Sequence, residues 1–166
     1  MNLEELYQEQ LQDIYSAETQ LVDFLHQVSW KARDNDLKKA FGDHLEETKG
    51  QKERLEKIFD RYAGVKPGGH ACHAMKGLIR EGKEALDTHG DSEIIDAHLV
   101  ANAYRIEHYE IAAYTTAISM AKALGHDEDV KLLKENLSQE NDASDELNKM
   151  ADGGMFSKGL HEEAAS

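Results

Sequence analysis

Apolar residues recur along this chain every three or four positions, the period of an amphipathic helix. Leu11, Ile14, Glu18, Leu21, Leu25 and Val28 share one face of a first helix. Arg33-Asp34-Asn35-Asp36 interrupts it, and either aspartate can cap the next helix. A second face follows in Leu37, Phe41, His44, Thr48, Gln51, Leu55 and Ile58. Ala63-Gly64, with Pro67-Gly68-Gly69 just beyond, supplies its stop. Asp91 or Ser92 opens a third long helix, whose face runs Ile95, Leu99, Ala103, Glu107, Glu110, Tyr114, Ala117 and Ala121. Leu124-Gly125 closes it. Asp127 then opens a fourth, with Val130, Leu133, Leu137, Glu140, Ser144 and Leu147 inward.

Residues 64–91 form a long connection with a shorter apolar pattern inside it: Met75, Leu78, Ile79, Ala85 and Leu86. That pattern predicts a short crossover helix. Two tight helical hairpins joined by one long crossover make an all-α, ferritin-like four-helix bundle, the crossover lying between the second and third long helices. The bundle is expected to occupy residues 1–152. After Asp152-Gly153-Gly154 the pattern loses its period, so residues 153–166 are expected to be a mobile tail. Leu6, Tyr7, Phe24 and Trp30 are candidates for an apolar stripe left exposed on the first helix.

Composition sharpens this picture. One proline in 166 residues leaves little material for a loop-rich or sandwich fold. The 33 acidic against 19 basic side chains give a net charge of −14, which repels phosphate backbones and anionic lipid while attracting cations. Nucleic acid is therefore excluded as an expected partner, and no apolar run is long enough to span a membrane. The same charge also serves solubility alone. The lone Cys72 rules out an internal disulfide, and the acidic start MNLEELYQEQ lacks a signal-peptide pattern. The expected compartment is the cytoplasm.

Each long helix carries an ionisable residue on its apolar stripe: Glu18 on the first, His44 with Glu47 one turn later on the second, Glu107 and Glu110 on the third, Glu140 on the fourth. At 1.5 Å rise per residue, Glu18 and Glu47 lie about 22 and 17 Å below the first hairpin turn. Glu110 and Glu140 lie about 21 and 20 Å from the second. All of them thus meet in one layer near the middle of the bundle. Burying unpaired carboxylates is costly, and no Lys or Arg stands on these faces to neutralise them. Two divalent metal ions would supply the missing charge, and an oxygen-rich shell with few imidazoles suits iron or manganese. Taken singly, each Glu reads as a solvated helix flank and His44 as a core histidine. Helix rotation could also turn Glu47 or Glu107 outward. The joint occurrence on four helices at one height carries the metal reading.

The strings LQDIYSAETQ (11–20), HLEETKGQ (44–51), RIEHYEIAAY (105–114) and LLKENLSQE (132–140) resemble the YciE/YciF family of ferritin-like, stress-associated bacterial proteins. HLEET and EHYEIAAY together carry most of the specificity, and the resemblance runs from about residue 5 to residue 150. It implies a four-helix bundle, a homodimer and a di-iron-type site, with no established reaction. Under it, Glu18, Glu47, Glu107 and Glu140 match the single carboxylates of ferritin-like sites. His44 and Glu110 fall where the family adds ligands or hydrogen-bonding partners. Ferritin-like oxidases often carry Glu-x-x-His, whereas the residue three after Glu47 is Gly50 and three after Glu140 is Ala143. That reordered, histidine-poor shell leaves the preferred metal open.

The leading expectation is a carboxylate-rich dinuclear iron or manganese site serving oxidative or general stress. If enzymatic, it would be a di-iron-type oxidase or peroxidase whose small oxidant is oxygen or peroxide. The alternative is a non-catalytic dimeric helical stress protein that acts through protein contacts. Iron storage would need a closed shell with interfaces that nothing in the sequence identifies. His70-Ala-Cys72-His73 offers three zinc-type ligands without a fourth, or a thiol that nearby imidazoles could activate. Tyr15, Tyr104 and Tyr114 lie near the layer and can hydrogen-bond its carboxylates.

Overall fold

The first helix starts earlier than its apolar face. Asn2 accepts from the Glu5 backbone N–H while the Glu5 carboxylate accepts from the Asn2 N–H, a reciprocal cap that lets α1 run Leu3–Lys31. Asp34 then caps α2 (Asn35–Phe59), its carboxylate accepting from the Leu37 N–H at 2.8 Å. The structure is a computed structural model and describes residues 1–154 and 157–165. α3 (His73–Leu86) is the short crossover helix. α4 (Ser92–Leu124) ends at Gly125, whose φ of 77° is the left-handed cap that glycine adopts without strain. α5 runs Asp127–Asp152.

Architecture follows the expectation: α1 packs on α2, α4 on α5, and the two hairpins pack together with α3 laid across α1 and α4. Gly82 makes that approach possible, since a Cβ there would collide with the Phe24 ring and the Asn102 side chain. The inward faces read from the sequence are buried nearly throughout, with Ile95 and Leu137 only half so. Beside Leu137 it is Asn136 that points fully in. Tyr7 and Phe24, expected on an exposed stripe, are 0% and 4% exposed and belong to the core, whereas Trp30 is 75% exposed.

α2 stops at Phe59, four residues short of the expected Ala63-Gly64. The chain tightens there into three-residue hydrogen bonds because Arg61 and Tyr62 are drawn to Asp129 on α5. Asp129 is buried, and its carboxylate accepts from Tyr7 Oη at 3.0 Å, from Tyr62 Oη, and from Arg61 at 2.6 Å. His126 lies against both tyrosine rings and contacts Glu4 at 2.9 Å. Asp96 is used the same way at the other end, accepting from the Arg33 and Asp34 backbone N–H groups.

Past Asp152, Gly153–Gly154 (β1) pairs antiparallel with Ser157–Lys158 (β2), and a short α6 (Leu160–Ala164) packs against α4 and α5 with Leu160 buried. Residues 155, 156 and 166 of the expected tail lie outside the described residues. Among those residues no helix is long and apolar enough to cross a membrane.

The apolar core comes in two clusters. One holds Leu21, Phe41, Met75 and Ile106, and the other Tyr7, Leu11, Ile58 and Leu133. A polar layer contributed by all four long helices separates them.

Candidate metal centre

Each helix presents that layer through a residue one or two turns from an apolar neighbour on the same stripe. α1 gives Glu18, α2 gives His44, Thr48 and Gln51, α4 gives Glu107 and Glu110, and α5 gives Asn136, Glu140 and Ser144, all of them buried. Ligand atoms of His44, Glu107, Glu110 and Glu140 lie within 4.8 Å of one another. His44 Nε2 is 3.3 Å from Glu107 and 3.9 Å from Glu140. Glu18 stands beside this set, its Oε1 accepting from the Tyr114 hydroxyl, which in turn accepts from Asn136 Nδ2 at 3.0 Å. Glu47 does not join the layer. Its side chain is 43% exposed and reaches only the edge of the layer, 3.5 Å from His44 Nδ1.

The layer is not satisfied from within. Among the described residues nine buried side-chain nitrogen and oxygen atoms lack a hydrogen-bond partner, and eight of them are here. They are Glu18 Oε2, both His44 ring nitrogens, Gln51 Oε1, Glu107 Oε2, both Glu110 oxygens and Glu140 Oε2. Buried polar groups are ordinarily paired, and each one left bare costs on the order of 1–3 kcal/mol. Eight of the nine converge on this one layer, whose His44, Glu107, Glu110 and Glu140 could hold a metal ion.

Electrostatics agree. Burial, then the facing Glu140, pushes the Glu18 carboxyl up to about 8, against the lowering effect of Tyr114. Burial pushes Glu107 and Glu110 well above the usual range, with neighbouring carboxylates adding to the rise. For His44 burial alone would lower the pKa, but Glu107, Glu47 and Glu140 outweigh it and raise it to about 10. One imidazolium and several acids held partly protonated are a poor substitute for the charge of a divalent ion. The donor set, carboxylate oxygens with one imidazole, fits hard or borderline divalent metals.

Gln51 and Asn136 were not read from the sequence as members of the layer. Gln51 lies on the stripe two turns after His44, the only signal available, and its amide donates to Glu140. Asn136 also contacts the Gln51 carbonyl and Arg54. Of the three tyrosines, only Tyr114 binds a layer carboxylate: Tyr15 pairs with Glu56, and Tyr104 is exposed against His108.

The His70–His73 segment does not assemble a zinc set. Cys72 is buried with its sulfur 2.9 Å from Tyr109 Oη, His70 binds Asp13 at 3.1 Å, and His73 is exposed. Burial pushes the Cys72 thiol up, the opposite of an activated thiolate.

The sequence family described as a domain of unknown function, DUF892, matches residues 2–159. Protein YciF of Escherichia coli (strain K12) is 40% identical over 138 residues, 83% of each chain. The crystal structure of the E. coli stress protein YciF superposes with a TM-score of 0.86 at 38% identity, covering 90% of this chain and 94% of that one. YcfI from Rhodopseudomonas palustris gives a TM-score of 0.87 at 42% identity, covering 91% of this chain and 96% of that one.

Proposed function

This chain belongs to the DUF892 family, and from that premise we propose that its polar layer is a carboxylate-rich dinuclear site for iron or manganese. The observation that carries the reading is the convergence of eight unpartnered buried polar atoms on one point of the core. His44, Glu107, Glu110 and Glu140 would hold the ions, with Glu18 adding a carboxylate from α1. Bound metal would supply the missing positive charge and, with oxygen or peroxide as the small oxidant, a redox couple.

The chain's own residues have definite tasks. Gln51 fixes Glu140 and Tyr114 fixes Glu18 through hydrogen bonds. The two apolar clusters exclude water above and below the layer. The raised carboxyls of Glu18, Glu107 and Glu110 must give up protons as metal enters, so loading is favoured by rising pH. The description of the E. coli relative as a stress protein supports a role in oxidative or general stress. The free buried thiol of Cys72 is in keeping with a reducing cytoplasm. The exposed Trp30 near the end of α1 is a candidate contact for a homodimer.

The test is metal content and Fe(II) or Mn(II) titration of protein purified without a metal-affinity tag. Two ions per chain are expected. The Glu107→Gln, Glu140→Gln double variant should bind none while keeping its helical circular dichroism. A wild-type chain that takes up no metal would sink this reading in favour of a helical protein acting through contacts alone.

A further inference from the structure

The layer is covered on one side and open on the other. α3 lies across α1 and α4, and on the opposite side, between α2 and α5, a cleft of about 160 Å³ reaches inward. His44 and Glu107 form its floor. Both are at least nine-tenths buried; the His44 nitrogens make only ion-pair approaches, the closest to Glu47 at 3.5 Å and Glu107 at 3.3 Å, and Glu107 Oε2 has no hydrogen-bond partner. Ala40, Phe41, Ala143 and Leu147 make the walls, the two alanines keeping the passage wide. The space is roughly ten times what one water needs. At the rim stand Asp43 and Glu47, one turn apart on α2, and Asp142 and Glu146, one turn apart on α5. Lys39 pairs with Asp43 and also feels Glu146.

We infer that this cleft is the entry path for the metal, its four rim carboxylates forming a transient docking site for a divalent cation. Glu47 is the hand-over residue, half-exposed at the rim and facing His44 Nδ1 on the floor. The inference rests on the metal-site reading and adds the route. Lys39 offsets Asp43, but the rim still carries a net negative charge from Glu47, Asp142 and Glu146, and such an excess raises the local cation concentration. Exposed carboxylates hold a hydrated ion only weakly, so it moves on to the buried set, whose bare atoms bind it better. Glu47, matched by resemblance to a core ligand, thereby acquires a different task.

Stopped-flow uptake of Co(II), followed by its visible absorption, tests the route separately from the site. Asp142→Asn with Glu146→Gln, both exposed positions, should bind the same number of Co(II) ions at equilibrium but about tenfold more slowly at low salt. Its rate should also depend less on ionic strength than that of wild type. Ala143→Phe, which fills the cleft, should slow uptake too. Glu81→Gln with Glu84→Gln on α3 removes equal charge from the far side and should load at the wild-type rate. Rim and plug variants that load as fast as wild type, or a far-side pair that slows as much as the rim pair, would overturn the entry path and leave the site standing. A wild-type chain that takes up no Co(II) would overturn both.

Discussion

Asp129 and Glu110 are both buried carboxylates, one near the start of α5 and the other midway along α4, and the fold treats them in opposite ways. Asp129 receives two tyrosine hydroxyls and a guanidinium, and it lies in the first turn of its helix, where the dipole favours negative charge. Glu110 receives nothing on either oxygen. The first acid is a joint: it ties α1, the end of α2 and α5 together and needs no visitor. The second costs the fold stability and returns none within the chain. Where a protein satisfies one buried acid and leaves another bare, the bare one is the candidate for a ligand site.

The largest effect should come from filling the unsatisfied site. Saturating Mn(II) at about 1,000 times its dissociation constant would add about 4 kcal/mol. In a chain of this size that raises the midpoint of thermal unfolding by about 10 °C, and chelation should reverse it. Calorimetry that shows no shift would erase the distinction between the two acids.

Mutating the acids should separate them next. Asp129→Ala strands two tyrosine hydroxyls and removes the partner of a half-exposed arginine, and should destabilise by about 3 kcal/mol with or without metal. Glu110→Gln should leave the chelated protein as stable or about 1 kcal/mol more stable, because it removes an acid that burial disfavours. Urea unfolding of both variants, with and without chelator, gives the four values needed. Equal losses for both would contradict the comparison.

The pH response is the finest test. In the chelated protein Glu18 keeps its proton to about pH 8, whereas the unfolded chain releases it near 4.5. The folded state therefore binds more protons across that window, and the stability this gives, complete below 4.5, is lost as pH rises towards 8. Glu107 and Glu110 act in the same direction. His44, raised from 6.5 to about 10, adds stability that is complete below 6.5 and fades as pH climbs through 10. The urea midpoint of chelated protein should thus fall between pH 6 and 9, and that of metal-loaded protein should fall less. A rising midpoint without metal would show these acids to be better served than their geometry indicates.

What the sequence disclosed follows from how far each signal travels along the chain. Helix faces, the Asp34 cap and the Gly125 stop are local, and their spacing or backbone demand can be read directly. Glu18, His44, Glu107, Glu110 and Glu140 were legible because a charge on an apolar stripe is anomalous wherever the helices pack. Glu47 was not, since a three-residue step leaves its rotation undecided until α5 is in place. Gln51 and Asn136 look like ordinary polar residues until their partners on other helices arrive. The Asp129 joint joins Tyr7 to a residue 122 positions away, and no periodicity carries that information. It also explains why Tyr7 is core and why α2 ends early.

The split of the apolar core has a consequence for cooperativity. Two oily compartments meet across a stratum of bare acids, whereas the ends of the bundle are tied by the Asp129 and Asp96 joints, so the metal-free chain is expected to have a weak cross-section at mid-height. Local opening is expected to begin there, with each half holding together a little longer than the seam between them. A cation seated in the seam would weld the halves into a single melting unit. Occupancy would then be felt as rigidity along the whole length of the helices, far from the atoms that touch the ion.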